Sequence, residues 1–293
     1  MTPIHTLSIN GDSFAVHTRG SGRPLVLLHA FPLDHGMWEA QEPLAEAVRL
    51  IVPDQRGFGG SAAARPIASI AEMADDVIAV LDALHVAEPA VVCGVSMGGY
   101  VAQHVAARHP ARVAGLILCD TKFEADTPSA REGRAALATK VGRLGTSILA
   151  DAMLGKLLAQ SSAARAAPRR QAVEEHLRQM IARQQPQTVQ AALAAMGDRP
   201  DMTAAMSRLE IPTLLVVGAE DSFTPPEVMQ QMEEIMPDAR LLIVPRAGHL
   251  VPLEAPEVFH EAALAFFREA IRAAAGRGSA PTPAAAVSPP PPR

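Results

Sequence analysis

Ala90-Val91-Val92-Cys93-Gly94-Val95-Ser96-Met97-Gly98-Gly99-Tyr100 begins as an apolar run and ends as the opening of a helix. Four apolar residues without a polar break suit a parallel strand buried on both faces. Gly94-Val95-Ser96-Met97-Gly98 follows directly, which places the serine on a tight strand–turn–helix bend with strained dihedrals. Residues two before and two after that serine pack against each other and must be small, and both are glycine. The bend lifts the hydroxyl clear of the sheet and aims the first amides of the helix at it. Those amides and the helix dipole favour negative charge developing on a nearby oxygen. An incidental serine in a glycine-rich turn is the plain alternative, and the apolar strand before it argues against that.

Outward from this run, the same pattern repeats. Pro24-Leu25-Val26-Leu27-Leu28, Leu50-Ile51-Val52, Leu116-Ile117-Leu118-Cys119, Thr213-Leu214-Leu215-Val216-Val217 and Leu241-Leu242-Ile243-Val244 all read as buried strands. Helical spacing separates them: Ile70, Met73, Val77, Val80, Leu81 and Leu84 share one face, and Gly99 to His109 and Val228 to Met236 behave similarly. Strands alternating with helices predict an α/β fold, a mostly parallel sheet with helices on both faces. Ile4 to Ile9 and Phe14 to Thr18 around Asn10-Gly11 predict an antiparallel hairpin at one end of it.

The alternation stops between about Phe123 and Leu209, a stretch rich in Ala, Arg and Met and interrupted by Pro128, Pro168, Pro186 and Pro200. The expected organisation is a sheet domain in two parts, 1–122 and 210–273, an inserted helical lid at 123–209, and a Pro/Ala-rich tail at 274–293 expected to be disordered.

Composition excludes several classes. The 293 residues carry 26 Lys+Arg against 31 Asp+Glu, a net charge of −5, which argues against a nucleic-acid binder. An aromatic share of 3% leaves few stacking platforms for single strands. No apolar run is long enough for a membrane span, and the N-terminus shows no secretory pattern, so a cytoplasmic location is expected. Cys93 and Cys119 lie in apolar stretches and read as buried thiols in a reducing compartment.

A serine hydroxyl needs a base. Of ten histidines, His85, His104, His109, His176 and His260 lie on helical patterns and read as solvated or surface residues, while His5 and His17 belong to the hairpin. His249, in Ala247-Gly248-His249-Leu250, follows the last strand and falls at the sheet edge where the serine sits. An imidazole in turn needs an acid to set its tautomer. Asp221 follows the preceding strand, giving the chain order Ser96, Asp221, His249. Asp120 and Glu220 are rival acids. For the oxyanion, the expected donors are the Met97 amide and the Phe31 amide of His29-Ala30-Phe31-Pro32-Leu33-Asp34. His29 reads as a brace for that loop.

These motifs, with Asp54-Gln55-Arg56-Gly57-Phe58-Gly59-Gly60-Ser61, resemble the α/β-hydrolase superfamily from about residue 20 to 272. Within it the chain is similar to small lidded serine esterases and 3-oxoadipate enol-lactonase-like hydrolases. Ala30 stands where that family usually has glycine. The resemblance implies cofactor-free hydrolysis of small carboxylic esters or lactones by Ser96, His249 and Asp221 through an acyl-enzyme, with no metal. Other chemistry on the same triad is the alternative: C–C bond hydrolysis, acyl transfer or perhydrolysis. A non-catalytic small-molecule binder is a further one. Expected pocket walls, besides Phe31 and Met97, are Trp38, Phe123, Phe223, Leu250 and Val251. Met153, Met180, Met196, Met202 and Met206 either line the lid or pack its helices. An enol-lactonase needs a cation for its substrate carboxylate, for which Arg56, Lys122 and Arg134 are candidates, each with a surface reading beside it.

Overall fold

The computed structural model describes residues 4–277. β1 (Ile4–Ile9) and β2 (Asp12–Arg19) form the hairpin, turning at Asn10 and Gly11, both at positive φ. β3 (Pro24–Leu28), β4 (Arg49–Pro53), β5 (Ala90–Val95), β6 (Val113–Cys119), β7 (Thr213–Gly218) and β8 (Ala239–Val244) complete one eight-stranded sheet in the order β1-β2-β4-β3-β5-β6-β7-β8. β2 pairs antiparallel with β1 and β4, and every pairing from β4 across to β8 is parallel. The central strands β3, β5, β6 and β7 are buried along their whole length, as their unbroken apolar runs require. β8 is the edge and is partly exposed.

Helices α1 (Ile70–Ala83) and α2 (Met97–Arg108) pack together beside the sheet. Ser69 caps α1 by accepting from the Glu72 amide at 3.1 Å, while Glu72 accepts from Ala68 N at 2.9 Å, a reciprocal cap that starts the helix. Beyond β6 come α3 (Pro128–Leu144), α4 (Ile148–Leu157), α5 (Ser162–Arg165), α6 (Arg170–Ala182), α7 (Pro186–Gly197) and α8 (Thr203–Met206) before the chain re-enters the sheet at β7. α9 (Pro226–Ile235), α10 (Val251–Glu254) and α11 (Pro256–Arg277) finish the described chain.

Three expectations change. Leu241 to Val244 read as a strand buried on both faces, but β8 is an edge strand and Ile243 is exposed. The tail was expected from residue 274, but α11 continues to Arg277; the remainder of the tail lies outside the described residues. His104 was expected at the surface and is buried, because α2 is covered by α1 and α8. Among the described residues no helix is long and apolar enough to cross a membrane.

The parallel register explains why distant residues meet. Val95 pairs with Cys119, Cys119 with Val216, and Gly218 with Val244. The C-terminal ends of β5, β6, β7 and β8 therefore fall in line. Ser96, Asp120, Asp221 and His249 all leave the sheet from that one edge. Leu28 pairs with Gly94, which brings the loop after β3 to the same place.

Candidate active site

Ser96 joins β5 to α2 with φ 53° and ψ −113°, a left-handed conformation that L residues adopt only when the surroundings enforce it. The enforcement is visible on both sides. A Cβ at Gly94 would fall on the Gly98 carbonyl, and one at Gly98 would fall on the Leu28 carbonyl. Ser96 N donates to Cys119 O at 2.9 Å, and the Ser96 carbonyl accepts from Tyr100 N at 3.1 Å and Thr121 Oγ1 at 3.0 Å.

Ser96 Oγ lies 2.9 Å from His249 Nε2, and His249 Nδ1 lies 2.8 Å from Asp221 Oδ2. With the Nδ1 proton directed at the carboxylate, Nε2 is free to accept from the serine hydroxyl. Asp221 is itself held by donations from Thr224 Oγ1 at 2.6 Å, Phe223 N at 2.8 Å and Thr224 N at 3.2 Å. Burial opposes its charge. The facing imidazole and these hydrogen bonds outweigh burial and keep its pKa below the usual carboxylate value. For His249, burial pulls the pKa down while the Asp221 charge and hydrogen bond raise it, and the net direction is up.

The rival acids are elsewhere engaged. Asp120 is fully buried and accepts from Gly218 N at 3.0 Å, Val251 N at 3.2 Å and the Cys119 thiol at 3.1 Å. Burial and the nearby Asp221 charge push its pKa up to about 7. Glu220 turns away from the imidazole and accepts from Gln160 N at 2.9 Å and from Ser161 N and Oγ at 2.8 and 2.7 Å.

Met97 is the first residue of α2, so its amide has no carbonyl one turn back to bind. Phe31 borders the Ser96 cavity from the other side. Ala30 is not among the residues at positive φ, so its side chain is accommodated without strain. His29 is buried and accepts from Gln55 N at 3.0 Å through Nε2, while its Nδ1 lies 3.0 Å from Ala30 O. It braces the loop and makes no contact with Ser96 among the described residues.

A cavity of about 520 Å³ opens above Ser96 and His249. Phe31 and Phe223 line it, with Tyr100, Leu137, Met153, Leu157, Leu193 and Met196. Five expected wall residues do not. Met97 is fully buried at the start of α2. Trp38 is fully buried against Phe259, ring centroids 5.8 Å apart, and Phe123, Leu250 and Val251 are core residues. Nearness in sequence to the site placed them as candidates, but their side chains point into the sheet domain's packing. Of the methionines, Met153 and Met196 reach the cavity, whereas Met180, Met202 and Met206 pack in the interior.

Charged side chains also line this cavity. Asp126 is saturated by Arg134 at 2.5 Å and by the buried Arg199 at 2.7 Å. Lys122 stands 3.9 Å from the same carboxylate and makes no side-chain hydrogen bond among the described residues. Burial, and then the neighbouring Arg199, lower the Lys122 pKa. Lys156 adds another cation to the lining. Arg56, by contrast, is buried away from the cavity and paired with Asp12 and Asp76. Residue type could have flagged Asp126 and Lys156, but nothing in their spacing pointed to the cavity.

His17, His35 and Asp54 bring three potential metal-ligand atoms within 4.8 Å of one another. The two imidazoles are stacked, centroids 3.7 Å apart at 23°, and His35 Nδ1 bonds Asp54 at 2.9 Å. Stacked rings send their in-plane lone pairs side by side, so this geometry suits an ion pair backed by a second ring better than coordination.

Residues 23–256 match the family model of the alpha/beta hydrolase fold, and the chain belongs to that family. It is 32% identical over 251 residues to a pimeloyl-[acyl-carrier protein] methyl ester esterase of Chromobacterium violaceum, covering 84% of this chain and 92% of that one. It is 33% identical over 261 residues to the dihydrolipoyllysine-residue acetyltransferase component of the acetoin cleaving system of Pseudomonas putida, of whose length it spans 64%. The structure of a thermophilic esterase from Thermogutta terrifontis, with malate bound, superposes with a TM-score of 0.85 at 40% identity, covering 91% of this chain and 97% of that one.

Proposed function

We propose that this chain is a serine hydrolase that cleaves carboxylic esters or lactones of small substrates through an acyl-enzyme. The observation that carries this reading is the unbroken hydrogen-bonded chain Ser96–His249–Asp221 opening on the 520 Å³ cavity. His249 takes the Ser96 proton as the hydroxyl oxygen attacks the ester carbonyl. The amides of Met97 and Phe31 receive the oxyanion of the tetrahedral intermediate. His249 then gives its proton to the leaving alcohol, and water, activated in the same way, releases the acid. Asp221 stays ionised and stabilises the imidazolium at both stages. Two similar proteins, the Chromobacterium violaceum and Thermogutta terrifontis ones, are named as esterases, which supports the reaction class.

Helices α3, α4 and α7 of the insertion act as the lid of this site, since Leu137, Met153, Leu157, Leu193 and Met196 all come from them. The lining combines aliphatic and thioether side chains with the cations Lys122, Arg134 and Lys156 and the carboxylate of Asp126. That mixture favours acyl groups with a short aliphatic body and a terminal carboxylate that Lys122 and Lys156 receive. The buried, unpaired thiols of Cys93 and Cys119 support a reducing, cytoplasmic setting.

A fluorophosphonate probe followed by peptide mapping tests the nucleophile, with an adduct on Ser96 expected. A panel of short nitrophenyl esters, lactones and β-diketones tests the reaction. Turnover confined to β-diketones would replace the ester reading by C–C bond hydrolysis, and no adduct with no turnover would leave a binder.

A further inference from the structure

Two glutamates outside the hydrogen-bonded chain converge on one short segment, residues 156–161, at the end of α4. Glu254 accepts from Ala159 N of that segment at 2.8 Å and from Gly248 N, next to the base, at 2.7 Å. His249 N donates to Leu157 O at 2.9 Å. The fit is close enough that a Cβ at Gly248 would lie 2.6 Å from Ala159 N. Arg170 clamps the Ala159 carbonyl at 2.5 Å. On the acid side, Glu220 binds Gln160 N, Ser161 N and Ser161 Oγ, and it immediately precedes Asp221. Both loops that carry the proton-handling residues are thus stitched to the same stretch of the helical insertion.

The sheet brings both loops to one edge, and Glu220 N donates to Ala247 O at 2.9 Å between them, but the strands end short of the two side chains. His249 lies five residues beyond β8, and Asp221 three beyond β7. Loops of that length drift unless tied. The tie through Glu254 is also a charged one in a setting that resists charge: burial pushes its pKa up to about 7 against the pull of its amide donors. A neutral side chain would avoid that penalty. What the carboxylate adds is two acceptor oxygens, one for each amide, and, when ionised, a negative charge that raises the His249 pKa.

We propose that Glu254 and Glu220 are positioning residues, which use residues 157–161 of the helical insertion to hold His249 and Asp221 in register with Ser96. Glu254 bears directly on the base, and Glu220 on the acid loop. This rests on the reading of Ser96–His249–Asp221 as the reacting chain. It makes the insertion a part of the catalytic frame as well as a wall of the cavity.

The test compares Glu254→Gln, Glu254→Asp, Glu220→Gln and Ser161→Ala with the parent, sites being counted by fluorophosphonate titration so that unfolded material drops out. Glu254→Gln sets an amide NH2 against one of the two backbone N–H donors. The expected result is a fall in kcat per titrated site of about 10- to 100-fold, with KM for a short nitrophenyl ester within about twofold. The acid limb of the rate profile also shifts. His249 faces Asp221, Asp120 and Glu254, and Arg170 faces Glu254. Removing the Glu254 charge takes away one influence that raises the His249 pKa, so the limb moves to lower pH. Glu254→Asp keeps the charge and the limb while loosening the geometry. Glu220→Gln and Ser161→Ala lower kcat per site in the same direction by smaller factors. A lower Tm with kcat per site and acid limb unchanged in all four variants overturns the proposal, because a brace that serves only folding gives that pattern. Failure of the underlying reading looks different: the parent itself then shows no Ser96 adduct and no ester turnover.

Discussion

His249 Nε2 stands 2.9 Å from Ser96 Oγ although 153 positions separate the two residues. The sheet register brings them together, and the strained bend at Ser96 gives the contact its direction. The bend fixes the direction of the Ser96 Cα–Cβ bond, and the hydrogen bond to His249 Nε2 sets the rotamer of the hydroxyl.

Ser96→Ala removes the oxygen proposed to attack and nothing that supports the fold, since no hydrogen bond to a structural partner uses the hydroxyl among the described residues. The expected outcome is a loss of about four orders of magnitude in kcat with Tm within about 2 °C of the parent. Steady-state assay on a nitrophenyl ester, beside a thermal melt, checks both halves. Near-parental turnover in pure Ser96→Ala removes Ser96 from the mechanism.

The two buried aspartates separate cleanly by isosteric amide substitution. Asp221→Asn presents the wrong partner to His249 Nδ1 and is expected to lower kcat by about 10⁴. Asp120→Asn disturbs only the bonds to Gly218, Val251 and Cys119, so the expectation is kcat within about tenfold and a lower Tm. Equal losses in the two variants would mean that Asp120 shares the role of the acid.

The pH profile follows from the sign of the His249 shift. Its net pKa is raised above 6.5, and the base works only when neutral. Activity therefore falls as pH drops through a value above 6.5, and kcat/KM for a neutral ester should show one acid limb there. A flat profile between pH 5 and 8 would falsify a histidine base. The same shift contributes folding stability below pH 6.5 that fades as pH rises through the folded-state pKa.

Lys122 separates charged from neutral substrates. Its ammonium lines the cavity 3.9 Å from Asp126, whose carboxylate Arg134 and Arg199 bind more closely, so it is the proposed partner of a substrate carboxylate. Lys122→Gln is expected to lower the ratio of kcat/KM for a half-ester of a dicarboxylic acid to that for the matching neutral ester by about tenfold or more. An unchanged ratio removes Lys122 from substrate recognition.

Much of this is legible in the sequence. Val91, Val92 and Cys93 read as a buried strand and the glycines at 94 and 98 as the small residues a tight bend needs, and the structure sets the Gly98 and Leu28 carbonyls where their Cβ atoms would fall. The alternation of apolar runs with amphipathic helices implied the parallel sheet, and the chain order Ser96, Asp221, His249 matched the edge where those strands end. Pocket walls were a different matter. Trp38, Phe123, Leu250 and Val251 are near the site in the chain but buried in the sheet domain's core, while Met153, Leu157 and Met196 reach it from helices far along the sequence. Periodicity and turn chemistry are local, so they specify elements and the loops that carry reactive groups. Which face of a helix meets the cavity, which carboxylate reaches the imidazole and which ties a loop depend on packing between segments distant in sequence. Glu220 shows the division. Its residue type and position allowed it to be the acid. Only the course of residues 160 and 161 past its carboxylate made it an anchor instead.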